Sequence, residues 1–172
     1  MAESYPALRA GQRLTAELLD SMLPRFARKT TDTSRASTTT LADDEHLTFT
    51  VEANAVYAMD GWIKYFASTT PDIQIGFATP TGTLGEWGWL MPGSTTTGTA
   101  TAGYSIRTDT NDAADPRAGY GTSDSNMYTP ISGLWRIGST AGSLTLRWAQ
   151  NTSNATATIV FTDSWLRLQR IA

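Results

Sequence analysis

Apolar and polar residues alternate along much of the chain from Leu41 onward, and this pattern constrains the fold more than any other feature. Successive side chains of a β-strand point to opposite faces, so alternation predicts strands with one buried and one solvated face. Leu47, Phe49 and Val51, for example, are separated by Thr48 and Thr50. Turn-forming residues recur about every ten positions. The chain is therefore expected to be all-β, a jelly roll or β-sandwich of eight or nine strands.

The composition supports this expectation and excludes several kinds of site. Threonine, which suits the solvated face of a strand, occurs 29 times in 172 residues. Cysteine is absent, which excludes disulfides, thiolate nucleophiles and cysteine-based zinc sites. The net charge of −3 argues against nucleic acid as a partner. No apolar run approaches the ~20 residues of a membrane span, so a membrane is not an expected partner either.

Residues 1–40 differ from the remainder and predict an N-terminal arm in front of a β-domain of residues 41–172. The arm has a net charge of +2, whereas the remainder carries −5. One short helix is expected within the arm, with Thr15 as its N-cap and Pro24 at its end. The polar segment 29–40 shows no periodicity, which is typical of an extended linker.

The predicted helix carries an apolar stripe, and its length is about two and a half turns. A helix this short is unstable alone in water, so it must pack against its own domain, a neighbouring subunit or a partner. The sequence leaves these three arrangements open. The residues expected to form this partner interface are Leu14, Leu18, Leu19, Met22, Leu23 and Phe26.

Catalytic arrangements find little support in the sequence. The only histidine, His46, lies at a strand entrance, and the nearest sequence to a nucleophile elbow has Thr140 at its centre within a predicted hairpin. Nothing pairs the carboxylates that could hydrolyse a glycoside. Those carboxylates are Glu52, Asp60, Asp72 and Glu86. The chain is therefore predicted to be non-enzymatic and to use no cofactor.

Two binding alternatives deserve a test. Asp109, Asp112 and Asp115 lie in a predicted loop of residues 109–126 and offer oxygens to calcium, although their spacing matches no EF-hand and no metal is predicted. Trp87 and Trp89 share one face of a strand. An exposed pair of this kind can stack on sugar rings, whereas a buried pair would line the core or an interface.

Two segments carry a resemblance to known families. AGQRLTAELL at residues 10–19 and DTSRASTTT at residues 32–40 look like the N-terminal arms of small structural proteins from tailed phages that infect actinobacteria. The C-terminal half is similar to the closing strands of trimeric jelly rolls of the tumour-necrosis-factor and C1q type. The similar stretches are SLTLRWAQ at 143–150, ATAT at 155–158 and SWLRL at 164–168.

These resemblances imply a virion protein without catalytic residues, either a capsid decoration (cement) protein or a minor tail protein. They imply a homotrimer that contacts phage capsid or tail proteins and is assembled in the host cytoplasm. The alternative is a carbohydrate-binding module that attaches to a host surface glycan. The sequence does not distinguish a place in the head from a place in the tail.

Overall fold

The computed structural model describes residues 6, 8–92, 104–106, 116–122 and 125–172. Within these residues the chain forms one short helix and twelve strands, which confirms the predicted all-β class. The elements are α1 (Ala16–Met22), β1 (Arg25–Arg28), β2 (Thr33–Arg35), β3 (Ala42–Val51), β4 (Val56–Phe66), β5 (Ile73–Ala78), β6 (Leu84–Pro92), β7 (Tyr104–Ile106), β8 (Arg117–Gly119), β9 (Met127–Arg136), β10 (Gly142–Ala149), β11 (Thr158–Val160) and β12 (Trp165–Arg170).

Two antiparallel sheets make up the sandwich. The larger sheet has the strand order β1-β12-β4-β9-β6-β7, and β11 joins it by pairing with β4 and β2. The smaller sheet has the order β3-β10-β5-β8. The larger sheet centres on β4, which pairs with β9 along ten residues and with β12 along six.

The inward faces of both sheets form a single core. On β4 every second residue is buried, beginning with Tyr57, which follows from the period-two pattern of the sequence. Phe77 of the smaller sheet packs edge-on against Trp87 and Trp135 of the larger sheet, with ring centroids 5.1 and 4.7 Å apart. This aromatic contact joins the two sheets at the centre of the molecule.

Helix α1 begins and ends where the sequence predicts. The Thr15 hydroxyl accepts a hydrogen bond from the Leu18 amide at 3.2 Å, as an N-cap does. The helix ends at Met22, two residues before Pro24. It lies beside β12, yet none of its own residues is buried. The domain therefore covers little of the apolar stripe.

The segment predicted to be a linker differs from that expectation. Within this segment residues 33–35 pair with β11, and just before it residues 25–28 pair with β12, so both stretches belong to the larger sheet. Between them, the Lys29 side chain is completely buried and forms an ion pair with Asp44 at 2.7 Å. Buried polar side chains can form hydrogen bonds with each other inside a fold. A segment held in this way has no alternation of apolar residues, so the hydrophobic pattern does not reveal it. The role of residues 1–40 as an anchoring arm remains a prediction.

Candidate functional site

An open groove lies on the outer face of the larger sheet. It has a volume of about 850 Å³ and crosses β12, β4, β9 and β6. Its lining residues are Met59, Asp60, Gly61, Trp62, Glu86, Trp87, Gly88, Trp89, Leu90, Pro130, Ile131, Ser132, Gly133 and Trp165. A groove of this size lies within the range of ordinary ligand sites, about 300–1,000 Å³.

Strand alternation decides which side chains face the groove. On β4 the side chains of Met59 and Ile63 turn toward the core, so Asp60 and Trp62 turn outward. The registers place Trp165 beside Trp62, and Ser132 beside Asp60. Gly88 pairs with Ser132 on the far side, where it adds no side chain to the groove floor.

Four aromatic side chains lie in a row beside and within this groove, as two ring pairs on neighbouring strands. We call Phe26, Trp165, Trp62 and Tyr128 the aromatic strip. The ring centroids of Phe26 and Trp165 lie 6.0 Å apart, as do those of Trp62 and Tyr128. Trp165 and Trp62 are directly paired on neighbouring strands. Phe26, Trp62 and Tyr128 are 63%, 40% and 51% exposed, so the strip presents apolar surface to solvent.

A polar row runs next to the strip across the same strands. It consists of Arg167, Asp60 and Ser132, which are paired in register on β12, β4 and β9. These residues lie two positions along their strands from the Trp165–Trp62 pair, a displacement of about 7 Å. Arg167 donates from Nε to Asp60 Oδ1 at 2.7 Å.

Opposite charges are matched around the groove. Besides the Arg167–Asp60 pair, Arg136 donates to Glu86 Oε1 at 3.2 Å. Asp60 and Glu86 are the charged residues among those that line the groove in the described part of the chain. Because each carboxylate has an arginine partner, the groove carries little net charge.

The residues predicted as a sugar-stacking pair occupy a different place. Trp87 and Trp89 are 4% and 3% exposed and belong to the core, with their ring centroids 6.3 Å apart. They border the groove, but their side chains point inward, so a sugar cannot stack on their rings. The sequence explains this orientation. Side chains alternate along β6, and the charged Glu86 side chain faces solvent, so Trp87 and Trp89 face the core.

The aromatic strip was not predicted from the sequence, although the sequence contains a signal for it. Trp62 has the same strand phase as Asp60 and Lys64, and Trp165 has the phase of Arg167. A tryptophan in phase with charged residues is expected on the solvated face. Phe26 and Tyr128 give no comparable signal, since β1 lies in the predicted arm ahead of the linker, where no strand is expected, and the residues next in phase with Tyr128, Asn126 and Pro130, are uncharged.

The structure brings two of the four candidate carboxylates to one groove and leaves the other two elsewhere. Asp60 and Glu86 both line the groove, whereas Glu52 pairs with Arg170 at 2.5 Å and Asp72 accepts a bond from the Gly121 amide at 2.8 Å. His46 Nδ1 lies 3.9 Å from Asp44 and has no hydrogen-bond partner among the described residues.

The calcium hypothesis falls outside the described residues, because Asp109, Asp112 and Asp115 are not among them. Across the described ranges no cluster of three or more metal-binding side chains is present. The helix in those ranges lacks the length and apolar character of a membrane span.

A second surface surrounds helix α1. We call Leu14, Leu18, Leu19, Met22 and Leu23 the helix surface. Leu14, Leu19, Met22 and Leu23 are between 39% and 61% exposed, and Leu18 is partly buried. Phe26, which the sequence groups with them, lies instead on β1 and packs against Trp165.

Comparisons with known proteins give weak similarities. No protein-family model and no curated protein sequence matches the chain. Similar solved structures include the tripod (BppUct-A-L) from the baseplate of bacteriophage Tuc2009, with 11% identity over 95% of this chain and 72% of that one, at a TM-score of 0.39. Another is the CBM22-1 xylan-binding domain of Paenibacillus barcinonensis Xyn10C, with 11% identity over 88% of this chain and 96% of that one, at 0.28.

A third similar structure is that of infectious bursal disease virus, Gx strain. It shares 12% identity over 86% of this chain and 40% of that one, at a TM-score of 0.23. The structural neighbours thus include a phage baseplate protein, a viral protein and a xylan-binding domain. At these TM-scores none of the three assigns a function to the chain.

Proposed function

We propose that this chain is a non-enzymatic structural protein on the surface of a phage virion. It would be a capsid decoration (cement) protein or a minor tail protein, assembled in the host cytoplasm. In this proposal the N-terminal arm docks on capsid or tail proteins, and the β-domain forms a homotrimer that faces solvent. The observation that carries the proposal is the helix surface, which the protein's own domain leaves largely uncovered.

The helix surface is suited to a protein partner. Isolated helices of this length are marginal in water, so α1 gains stability by burying its apolar side chains. Full burial of a leucine or methionine side chain stabilises an association by about 1.5–3 kcal/mol before the costs of ordering. Leu14, Leu19, Met22 and Leu23 offer such burial within one small area.

The charge distribution supports the same orientation. Arg9 and Arg13 precede the helix and are exposed. The arm of residues 1–40 carries +2, and residues 41–172 carry −5. A basic arm associates faster with an acidic protein lattice, while the acidic β-domain is repelled from it. Docking is therefore expected through the arm end of the molecule.

The experiment follows incorporation of tagged chains into phage particles assembled in their presence. The full chain should copurify with particles, whereas residues 25–172 should not, because they lack the helix surface but keep every strand. A triple variant, Leu14→Ser with Leu19→Ser and Leu23→Ser, should also be excluded. Leu84→Ser is the matched control, since Leu84 is similarly exposed (51%) but lies on β6. Incorporation of residues 25–172 at the level of the full chain would refute arm docking.

Carbohydrate binding is the second candidate function, and the groove favours it. Trp87 and Trp89 no longer support this function, because they are buried. The aromatic strip and the polar row take their place.

A further inference from the structure

We propose that the groove on the outer face of the larger sheet binds a neutral saccharide chain. Trp62 and Trp165 would act as stacking platforms, and Asp60, Arg167 and Ser132 would bind hydroxyl groups. The inference rests on the second candidate function and assigns its site and ligand class. It does not depend on docking of the N-terminal arm.

Two tryptophans are directly paired on the exposed face of the larger sheet. Trp62 and Trp165 are register partners on adjacent strands, so their side chains stand side by side. A large aromatic ring exposed to water is costly unless a ligand or partner covers it. The C–H face of a pyranose ring is flat and apolar, so it can cover an indole ring. The equatorial hydroxyl groups project from the edge of the sugar and remain free to form hydrogen bonds.

The polar row lies where it can bind the hydroxyl groups of a sugar that is stacked on the tryptophans. Arg167, Asp60 and Ser132 follow the Trp165–Trp62 pair at a displacement of about 7 Å along the strands, which is close to the width of a sugar ring. A ring stacked on Trp62 would therefore direct hydroxyl groups toward a carboxylate, a guanidinium and a hydroxyl. Such groups accept and donate the several hydrogen bonds that a sugar needs.

The length of the aromatic strip indicates the length of the ligand. The aromatic strip crosses four neighbouring strands, β1, β12, β4 and β9. Three strand spacings correspond to about 14 Å across the sheet. The strip also extends along the strands, because Phe26 pairs with Arg167 at one end and Tyr128 with Lys64 at the other, so it has room for at least about three sugar rings in a row. A chain of sugars fits this strip better than a single monosaccharide does.

The charge of the groove favours a saccharide ligand over a nucleic acid. Aromatic side chains also stack on nucleotide bases, but a single-stranded nucleic acid requires a positively charged groove. Here Asp60 and Glu86 line the groove, and arginines neutralise each of them. A neutral ligand avoids both the repulsion from the carboxylates and the cost of displacing their partners.

The shape of the site distinguishes a saccharide from a protein partner. Protein interfaces also favour tryptophan, tyrosine and arginine, but a stable interface buries a broad area of about 800 Å² on each partner. The groove is a depression of about 850 Å³ with a glycine, Gly88, in its floor. A narrow flexible chain can fill such a depression along its length.

The test is calorimetric titration of the full chain with neutral hexasaccharides of glucose, mannose, galactose and xylose. We expect at least one to bind with a dissociation constant tighter than about 10 mM. Trp62→Ala and Trp165→Ala should each weaken that binding by about tenfold or more. Leu84→Ala should leave it unchanged, because Leu84 is an exposed apolar residue of the same sheet that does not line the groove.

Two further variants make the result decisive. Trp62→Phe retains an aromatic face, so its affinity should lie between that of the parent chain and that of Trp62→Ala. Residues 25–172 keep the groove and should bind with unchanged affinity. Failure of saccharide binding is thus distinguishable from failure of arm docking, which is measured by incorporation into particles.

Three outcomes would overturn the inference. The first is that none of the four hexasaccharides binds. The second is that binding survives both tryptophan-to-alanine changes, which would place the ligand elsewhere. The third is that Trp62→Ala reduces the oligomeric mass in light scattering, because the strip would then be an interface between copies of the chain.

Discussion

The buried Asp44 carboxylate accepts four hydrogen bonds from the described residues. Its Oδ2 accepts hydrogen bonds from Lys29 Nζ at 2.7 Å and from Trp148 Nε1 at 3.2 Å. Its Oδ1 accepts from the amides of His46 and Leu47. Burial alone raises the pKa of Asp44, but the hydrogen bonds from Lys29 and His46 outweigh burial and leave the pKa below its ordinary value. The ionised carboxylate therefore stabilises the fold.

Loss of Lys29 should be among the most destabilising changes in the protein. We expect Lys29→Met to lower the free energy of unfolding by about 3–5 kcal/mol, because it leaves Asp44 buried without its counter-ion. The double variant Lys29→Met/Asp44→Asn should be more stable than Lys29→Met, since asparagine carries no charge and still accepts bonds from the amides. Urea unfolding measures both. Equal stability of the two variants would contradict this account.

Asp72 presents the opposite case. Burial raises its pKa, although the Gly121 amide donates to Oδ1 and lowers the pKa in part. A carboxyl group with a raised pKa costs stability when ionised, so its cost applies at neutral pH and disappears as the pH falls below the folded pKa.

The neutral variant Asp72→Asn should therefore melt at a higher temperature than the parent chain at pH 7. Asparagine keeps the bond to Gly121 and tolerates the left-handed backbone at this position, where φ is +49°. The difference in melting temperature should shrink as the pH falls from 7 through the raised pKa of Asp72. It should vanish below about pH 4, where the carboxyl of the unfolded chain is protonated too. A difference that is constant from pH 4 to pH 7 would exclude ionisation as its cause.

Among the elements, those with strong alternation are predictable and those held by polar contacts are not. Strand β3 contains Leu47, Phe49 and Val51, the alternating residues of the prediction, all three buried, and α1 has the predicted cap. Strands β1 and β2 were missed because each is only three or four residues long and sits in a polar segment. Their positions depend on distant partners, β12 and β11, which local sequence does not indicate. The same limit hid the groove, which four separate strands create.

A truncation separates the two parts of the predicted arm. Residues 25–172 should unfold with nearly the stability of the full chain, because no residue of α1 is buried. Residues 41–172 should be less stable by at least the cost of removing Lys29, about 3–5 kcal/mol, since Asp44 loses its partner. Arg35, which stacks over Trp148 at 4.0 Å, is lost as well. Thermal and urea unfolding of the two truncated chains and of the full chain measures these differences in stability. Equal stabilities would mean that β1 and β2 contribute nothing.

At the scale of the whole molecule, the protein has two separate kinds of exposed apolar surface. The helix surface follows the basic N-terminal segment, and the aromatic strip crosses the larger sheet. Phe26 is only three residues beyond Leu23, so the strip begins where the helix surface ends. The two surfaces correspond to the two proposals, attachment through the helix surface and saccharide binding along the aromatic strip.

The predicted homotrimer can be tested on the same truncation. Light scattering after size exclusion should give a mass near three chains for the full protein and for residues 25–172, if the β-domain holds the subunits together. A change from three chains to one on removal of residues 1–24 would assign trimerisation to the helix surface. A monomer in both cases would refute the trimer.

The division of the tryptophans between interior and surface gives the protein an optical property. Trp87, Trp89, Trp135 and Trp148 are buried, whereas Trp62 and Trp165 face the groove. Intrinsic fluorescence should therefore contain a blue-shifted emission from the interior and a red-shifted emission from the groove. A soluble quencher such as iodide should reach the second population first. The protein thus carries its own reporter for whatever covers its outer sheet.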